Sequence, residues 1–481
     1  MQDKSVSRRE FLKLAGLAGA TVSMGAGLGS LVAACGDDEA TSTTTSAATT
    51  TTAPAATTTT VASTTTVSTA GELGRPIKLG SVQPITGAFA VLAQAEEWAK
   101  GVVSEVFKDG LVCGDGKVHP IKIELRDAQS DAARAAQVAG DLILNDKVDL
   151  LLGGGSPSIC NPAADQAETL GCPFLGQNNP WTAFTFGRGN DGKTPFKWTY
   201  LHSLGAEQMH MCLAEAFAKI PNNKKIGFLT MNDDDGKAHL QSGTPVYEAF
   251  GYEITAPGLY PPGTEDFTDQ IAQFKKAGCD VLTGACGTPD FTNFWKQSLQ
   301  QGFNPKVPGI TLAIGFPKAL EALGYAGDGL FGEGGWHRSW PFTDWITGLT
   351  CDQLADKFEA DTGMQWQPAI GAGMDRYEMA LDVFKRCTNI DDKAAIISAI
   401  ETMKLECIGG PVDFTAPLDA DPFAPTSFRP HPNVYKGCVG AHQWRKTTGG
   451  KWAYEPVVVS ALCFPADSAK PAVVDPILYK Y

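Results

Sequence analysis

Twice along this chain, a short run of aliphatic residues gives way to a glycine-bearing or polar loop. A segment whose apolar residues recur every three and four positions then follows. This alternation restricts the chain to α/β architectures, because parallel strands must be joined by helical crossovers. The first series opens with the strand Ile77–Val82, turns at Pro84-Ile85-Thr86-Gly87, and enters a helix running through Lys100–Val106. Ile121–Leu125 is the next strand, and Ala132, Ala135, Ala136, Ala139, Leu142 and Ile143 mark one face of the helix after it. Val148–Leu152 is apolar throughout, as a strand covered on both faces should be. Asn161 is placed to cap a further helix, with Pro162 at its first position and Gly171 after its last; Pro173–Leu175 is a short strand.

The second series restarts at Lys225–Thr230, after Pro221-Asn222-Asn223-Lys224. Phe267, Ile271 and Phe274 share a helical face before the strand Cys279–Thr283. Phe291, Phe294, Trp295 and Leu299 form the next stripe, closed by Gly302, and Gly309–Leu312 is a further strand. These aromatic stripes read as core packed on a sheet. Tyr377, Ala380, Leu381 and Phe384 mark a later helix and Ala394–Lys404 another, and the tail from Val434 to Ser460 is strand-rich around a Gly449-Gly450 turn. The expected fold class is α/β with two doubly wound, Rossmann-like sheets, whose ligands bind beyond the carboxyl ends of the strands.

The N-terminal residues carry a different message. Ser7-Arg8-Arg9-Glu10-Phe11-Leu12-Lys13 precedes a mildly apolar run and resembles a twin-arginine export signal. Leu31-Val32-Ala33-Ala34-Cys35 resembles a lipobox, in which cleavage leaves Cys35 as the lipid-modified new N-terminus. Residues 1–34 are therefore read as a signal peptide and 35–75 as a Thr/Ser/Ala-rich disordered linker with no apolar face to repay its ordering entropy. The 34 residues from Asp37 to Ala70, taken as a coil, have a root-mean-square reach of roughly 30 Å. The expected location is the extracytoplasmic face of the cell membrane, held there by the lipid.

Charge and cysteine usage narrow the function. Asp+Glu of 53 against Lys+Arg of 39 gives a net charge of −14, with no basic run after residue 13, which excludes a phosphate-tracking nucleic-acid surface. Of 12 cysteines, Cys35 is assigned to lipid, and Cys351 with Cys387 and Cys438 with Cys463 are the expected bridges. No CxxC pair or HExxH occurs, so neither a structural zinc nor a zincin site is expected. His202, His210 and Cys212 read as helix packing and not as metal ligands.

Several stretches then become specific. They are Gly80-Ser81-Val82-Gln83-Pro84-Ile85-Thr86-Gly87, Ile123-Glu124-Leu125-Arg126-Asp127, Gly263 through Lys275, Gly278-Cys279-Asp280-Val281-Leu282, and the spacing from Gln297 to Pro305. In this order, over about Pro76 to Val459, they resemble the leucine/isoleucine/valine-binding-protein-like family of ABC-transporter solute receptors, of the type I periplasmic binding fold. The resemblance implies two lobes joined by three crossovers, placed near Leu201, Trp336 and Pro411. Residues 76–201 with 337–410 would form lobe 1, and 202–336 with 411–481 lobe 2. It also implies a monomeric receptor with no cofactor and no catalytic residue, binding an amino acid or related amide or carboxylate and partnered by a membrane permease. A ligand-sensing module for a signalling partner would use the same fold. An exported hydrolase is disfavoured, since no G-x-S-x-G elbow is present.

Candidate contacts follow from the strand ends. Ser156 and Ser158, in the Gly153–Ser158 loop, match where the family binds a carboxylate, although Pro157 removes one donor. Gln177, Asn178 and Asn179 offer amide donors and acceptors, and Phe89 or Trp181 an apolar wall. Asp235 stands where the family often has a tyrosine and is suited to a ligand ammonium; Thr288 marks the next strand end. Ala313-Ile314 occupies the place where amino-acid receptors put an acid. Pro157, Asp235 and Ala313 together point away from the branched-chain amino acids toward another amide, an aromatic acid or a peptide-like solute. Gly187 to Thr194 fits the spacing of a phosphate-binding loop, but reads as a turn because no helix follows.

Overall fold

The computed structural model describes residues 71–480, so the export segment, Cys35 and most of the 35–75 linker lie outside the described residues. The first sheet runs in the order Val434–Lys436, Thr199–Ser203, Phe174–Gly176, Leu150–Gly153, Ile77–Gln83 and Ile121–Asp127. Every neighbouring pair in it is parallel. The alternation of a strand explains its composition. Leu150 and Leu152 join Ile77 and Leu79 in one core, while Leu151 points to the opposite core with Val82 and Phe174.

A second parallel sheet runs Val307–Pro308, Val281–Cys286, Lys225–Thr230 and Glu253–Thr255, with Thr311–Leu312 also paired to Val281–Cys286. It too is covered on both faces, by Ile226, Phe228 and Val281 on one side and Leu229, Leu282 and Cys286 on the other. An antiparallel sheet of Phe331–Gly334, Val439–Lys446 and Tyr454–Cys463 adjoins it through a bridge between Gly309 and Phe331.

Helix ends follow local chemistry. Asp131 accepts the Arg134 N–H at 2.7 Å to start Ala132–Asp141, and Thr350 with Gln353 closes a capping box before Cys351–Thr362. Gly171, at φ +65°, stops the helix Pro157–Leu170 in the left-handed region.

Some boundaries differ from the sequence reading. The helix assigned to an Asn161 cap begins one turn earlier, at Pro157. Proline at a first helical position loses no bond, and Asn161 turns sideways to donate to the Ala183 carbonyl. The helix expected over Ala394–Lys404 is Lys393–Glu401, capped by Asp392, and Lys404 opens the strand Lys404–Cys407. The third crossover does not fall at Pro411. The chain stays with the first half until Val434–Lys436 pairs in parallel with Thr199–Ser203, and only then enters Val439–Lys446.

The expected disulfides are absent. Cys438 and Cys463 sit in different cores, while the Cys351 and Cys387 thiols turn to separate carbonyls, those of Ile408 and Asn389. All the described cysteines are free and buried.

Candidate functional site

Each parallel sheet reverses its strand order at one point. In the first sheet the reversal lies between Ile77–Gln83 and Leu150–Gly153, and in the second between Lys225–Thr230 and Val281–Cys286. Loops leaving the carboxyl ends of such a pair diverge to opposite faces and leave a crevice. The two crevices face each other across one cleft holding about 1190 Å³ of empty space, counting the part open to solvent.

Of the residues expected at the site, Phe89, Ser156, Gln177, Asn178 and Asn179 line this cleft from the first half, and Asp235 and Thr288 from the second. Ser158 and Trp181 do not. Ser158 stands behind Ser156, with the two hydroxyls 2.8 Å apart. Trp181 is buried against Phe186 and Phe423, its indole N–H donating to Glu207 Oε1 at 2.9 Å. Val91, Leu92, Met209, Leu312 and Phe316 supply further apolar wall.

The helix N-terminus behind Ser156 has few free donors. Pro157 carries no N–H, and those of Ile159 and Cys160 both bond to the Ser156 carbonyl, at 3.1 and 2.8 Å. Asn178 sits at φ +50°, a left-handed conformation that asparagine tolerates better than most residues, so the amide run is also a turn. Behind it, Asp375 Oδ2 accepts from Gln177 Nε2 at 2.6 Å and lies 3.0 Å from His202 Nδ1. His202, expected to pack a helix, sits instead on the strand Thr199–Ser203 and lines the cleft with Asp375, a residue the sequence gives no sign of, brought to it from a helix far along the chain.

In the second half, Asp233 caps the helix Asp234–Ala249 by accepting the Gly236 N–H at 2.8 Å. Asp235 is thereby released from capping and faces the cleft, only 5% exposed. Burial, reinforced by the neighbouring carboxyls of Asp233, Glu333 and Asp234, raises its pKa well above the ordinary carboxyl range. One turn on, His239 lies with Nε2 3.8 Å from Asp235 Oδ1, too far for a hydrogen bond. A buried chain continues from His239 Nδ1 to His210 Nε2 at 3.1 Å, from His210 Nδ1 to Tyr247 at 3.1 Å, and from Tyr247 to Thr283 at 2.9 Å. Burial pushes the His239 pKa down to about 3, so the ring is neutral beside the acid.

Glu333 is the second acid of this wall. It projects from Phe331–Gly334, and its Oε1 accepts the Leu312 N–H at 3.2 Å. It therefore stands next to the place where Ala313 leaves an acid missing. Leu312 is held at φ +66°, a strained conformation for leucine, at the end of Thr311–Leu312. Of the strand expected over Gly309–Leu312 only that part pairs with Val281–Cys286, because Gly309 and Ile310 pair with Phe331 instead. Burial raises the Glu333 pKa to about 7. The one signal in the sequence was a lone glutamate in the run Phe331-Gly332-Glu333-Gly334-Gly335.

Asp375, Glu378 and Cys407 place possible ligand atoms within 4.8 Å of one another. That set does not suit a metal. The Glu378 oxygens accept backbone N–H groups from Trp345 and Ile408, at 2.9 and 2.7 Å. Burial also raises the Cys407 thiol well above its ordinary range, which keeps it protonated. The stretch from Gly187 to Thr194 is a turn closed by Asp191, which accepts N–H bonds from Lys193 and Thr194 at 2.8 and 2.7 Å.

Comparison with known proteins agrees with this geometry. A family profile described as periplasmic binding protein matches residues 76–426. The Leu/Ile/Val-binding protein homolog 8 of Brucella abortus (strain 2308) is 24% identical over 346 residues, covering 68% of this chain and 81% of that protein. The leucine-binding protein LivK of Thermotoga maritima superposes with a TM-score of 0.63 at 17% identity, over 80% of this chain and 99% of its own. LivJ of Streptococcus pneumoniae, solved with isoleucine, gives a TM-score of 0.62 at 18% identity, over 80% and 99%. A solute-binding protein of an ABC transporter from Rhodopseudomonas palustris, solved with 3,4-dihydroxybenzoic acid, gives 0.63 at 18% identity, over 83% and 99%.

Proposed function

The chain belongs to the periplasmic binding protein family, and from that premise we propose that it is the solute receptor of an ABC importer. It closes two lobes on a small organic molecule and delivers that molecule, unaltered, to a membrane permease. The observation that carries this reading is the single cleft lined by polar side chains from both sheets at their points of strand reversal. Neither half encloses a ligand alone, so a solute that touches both shifts the protein toward its closed form by the difference in its affinity for the two forms. We assign residues 76–203 with 337–436 to one lobe and most of the remainder to the other, following the strand pairing.

The work would take place outside the cytoplasm, on a lipid carried by Cys35. That placement is supported by the family and by the paired arginines and lipobox-like residues. Among the described residues, no helix is long and apolar enough to cross a membrane.

A thermal-shift screen of small metabolites tests the receptor reading. At least one compound should raise the melting temperature by several degrees, and the rise should shrink both in Asn179→Ala and in Asp235→Asn, one substitution from each half. A rise untouched by either substitution would place binding elsewhere and refute the proposal.

A further inference from the structure

We infer that the solute is an organic cation, an amine that presents hydrogen-bond donors to both halves and carries no carboxylate. The inference rests on the receptor reading above and narrows it.

The first half fixes the direction of its own amides. Asn161 Nδ2 donates to the Ala183 carbonyl at 3.1 Å, which leaves Asn161 Oδ1 to accept from Asn179 Nδ2 at 2.8 Å. Gln177 spends its Nε2 on Asp375 at 2.6 Å. The free ends of Asn179 and Gln177 are therefore both oxygens, and both are buried without a partner. Asp375 Oδ1 is in the same state. Across the cleft, Asp235 Oδ1 is likewise buried and unpartnered, and Glu333 offers a second carboxyl beside it. Buried acceptors left unpaired cost free energy until a donor meets them.

Charge points the same way. Three acidic side chains line the cleft among the described residues, and no lysine or arginine does. Arg376 is fully buried, with Nη1 paired to Glu96 and Nη2 packed behind Gly154. An entering carboxylate would meet carboxyl and amide oxygens on both sides, with the His202 ring beside Asp375 and a helix terminus where Pro157 has no N–H and those of Ile159 and Cys160 are already bonded. An ammonium would instead be paired and hydrogen-bonded at once. The apolar walls suit a hydrocarbon body between the polar ends.

The test is a thermal-shift and calorimetric comparison on the purified protein. The panel holds linear diamines including 1,4-diaminobutane, amino alcohols including 2-aminoethanol, aralkylamines, the uncharged 1,4-butanediol, leucine and 4-hydroxybenzoate. At least one amine should bind saturably, its uncharged counterpart should not, and Asp235→Asn or Glu333→Gln should each weaken that binding tenfold or more. Both substitutions preserve side-chain shape, and circular dichroism verifies folding. Binding of leucine or 4-hydroxybenzoate with no amine binding overturns the inference and leaves the receptor reading standing. Amine binding that ignores both substitutions overturns it as well. If no compound of any class binds, the receptor reading fails and the inference falls with it.

Discussion

Lys436→Met lowers the unfolding free energy by about 3–5 kcal/mol, the cost of leaving a buried charge without its partner. Lys436 and Glu207 are 0% and 1% exposed, with Nζ 2.9 Å from Oε1. The ammonium also donates to the Pro422 carbonyl at 2.8 Å, and the same Glu207 oxygen takes the Trp181 indole N–H. Lys436 ends the last strand of the first sheet, whereas Glu207 opens the helix Ala206–Ala218, which packs into the core of the second. The pair therefore ties together two segments that pass between the halves. Removing the lysine alone strands Glu207. Removing both charges in Lys436→Met/Glu207→Gln should recover most of the loss, because a neutral pair no longer pays for desolvation. Denaturant unfolding of the single and double variants measures this. A single variant within 1 kcal/mol of the parent would show that the pair does not hold the crossing.

Glu333→Gln has the opposite sign. Burial holds the Glu333 pKa at about 7 against an ordinary value of 4.5. Between those values the folded protein keeps a proton that the unfolded chain has released, so this group makes stability fall as pH rises from 4.5 to 7. Glutamine removes the ionisation and keeps an oxygen for the Leu312 N–H. The variant without ligand should be more stable than the parent by up to about 3 kcal/mol at pH 8, and by nothing at pH 4. Denaturant unfolding at the two pH values reads the difference directly. An equal gain at both would show that ionisation is not the cause. The same acid predicts that amine affinity weakens as pH falls below about 7, since a protonated carboxyl must first lose its proton. Asp235, the other acid of that wall, adds to the trend, while His239 and His442 near the same wall are held neutral by burial, with pKa values near 3.

What the sequence reveals and what it hides have physical causes. Leu150-Leu151-Leu152 is legible as a strand because both faces are buried, which demands an unbroken apolar run. Gln177, Asn178, Asn179, Asp235 and Thr288 are legible as cleft residues because polar loops at the carboxyl ends of parallel strands have one place to go. Glu333 is not, since it reaches the cleft only after Phe331–Gly334 docks beside Leu312. Asp375 and His202 meet only when the helix Ala369–Arg386 packs against the first sheet. Val434–Lys436 was read with the second half because nothing local tells which sheet edge a short apolar strand will join. Trp181 has the chemistry of a ligand wall, and its burial against Phe186 and Phe423 is a tertiary fact.

The central claim is that two halves grip a solute between them, and small-angle X-ray scattering tests it most directly. With the most stabilising compound of the screen at saturation, the radius of gyration of the purified protein should fall as the lobes close. A radius unchanged at full occupancy would mean that the cleft does not close on what it binds, and the account would be wrong.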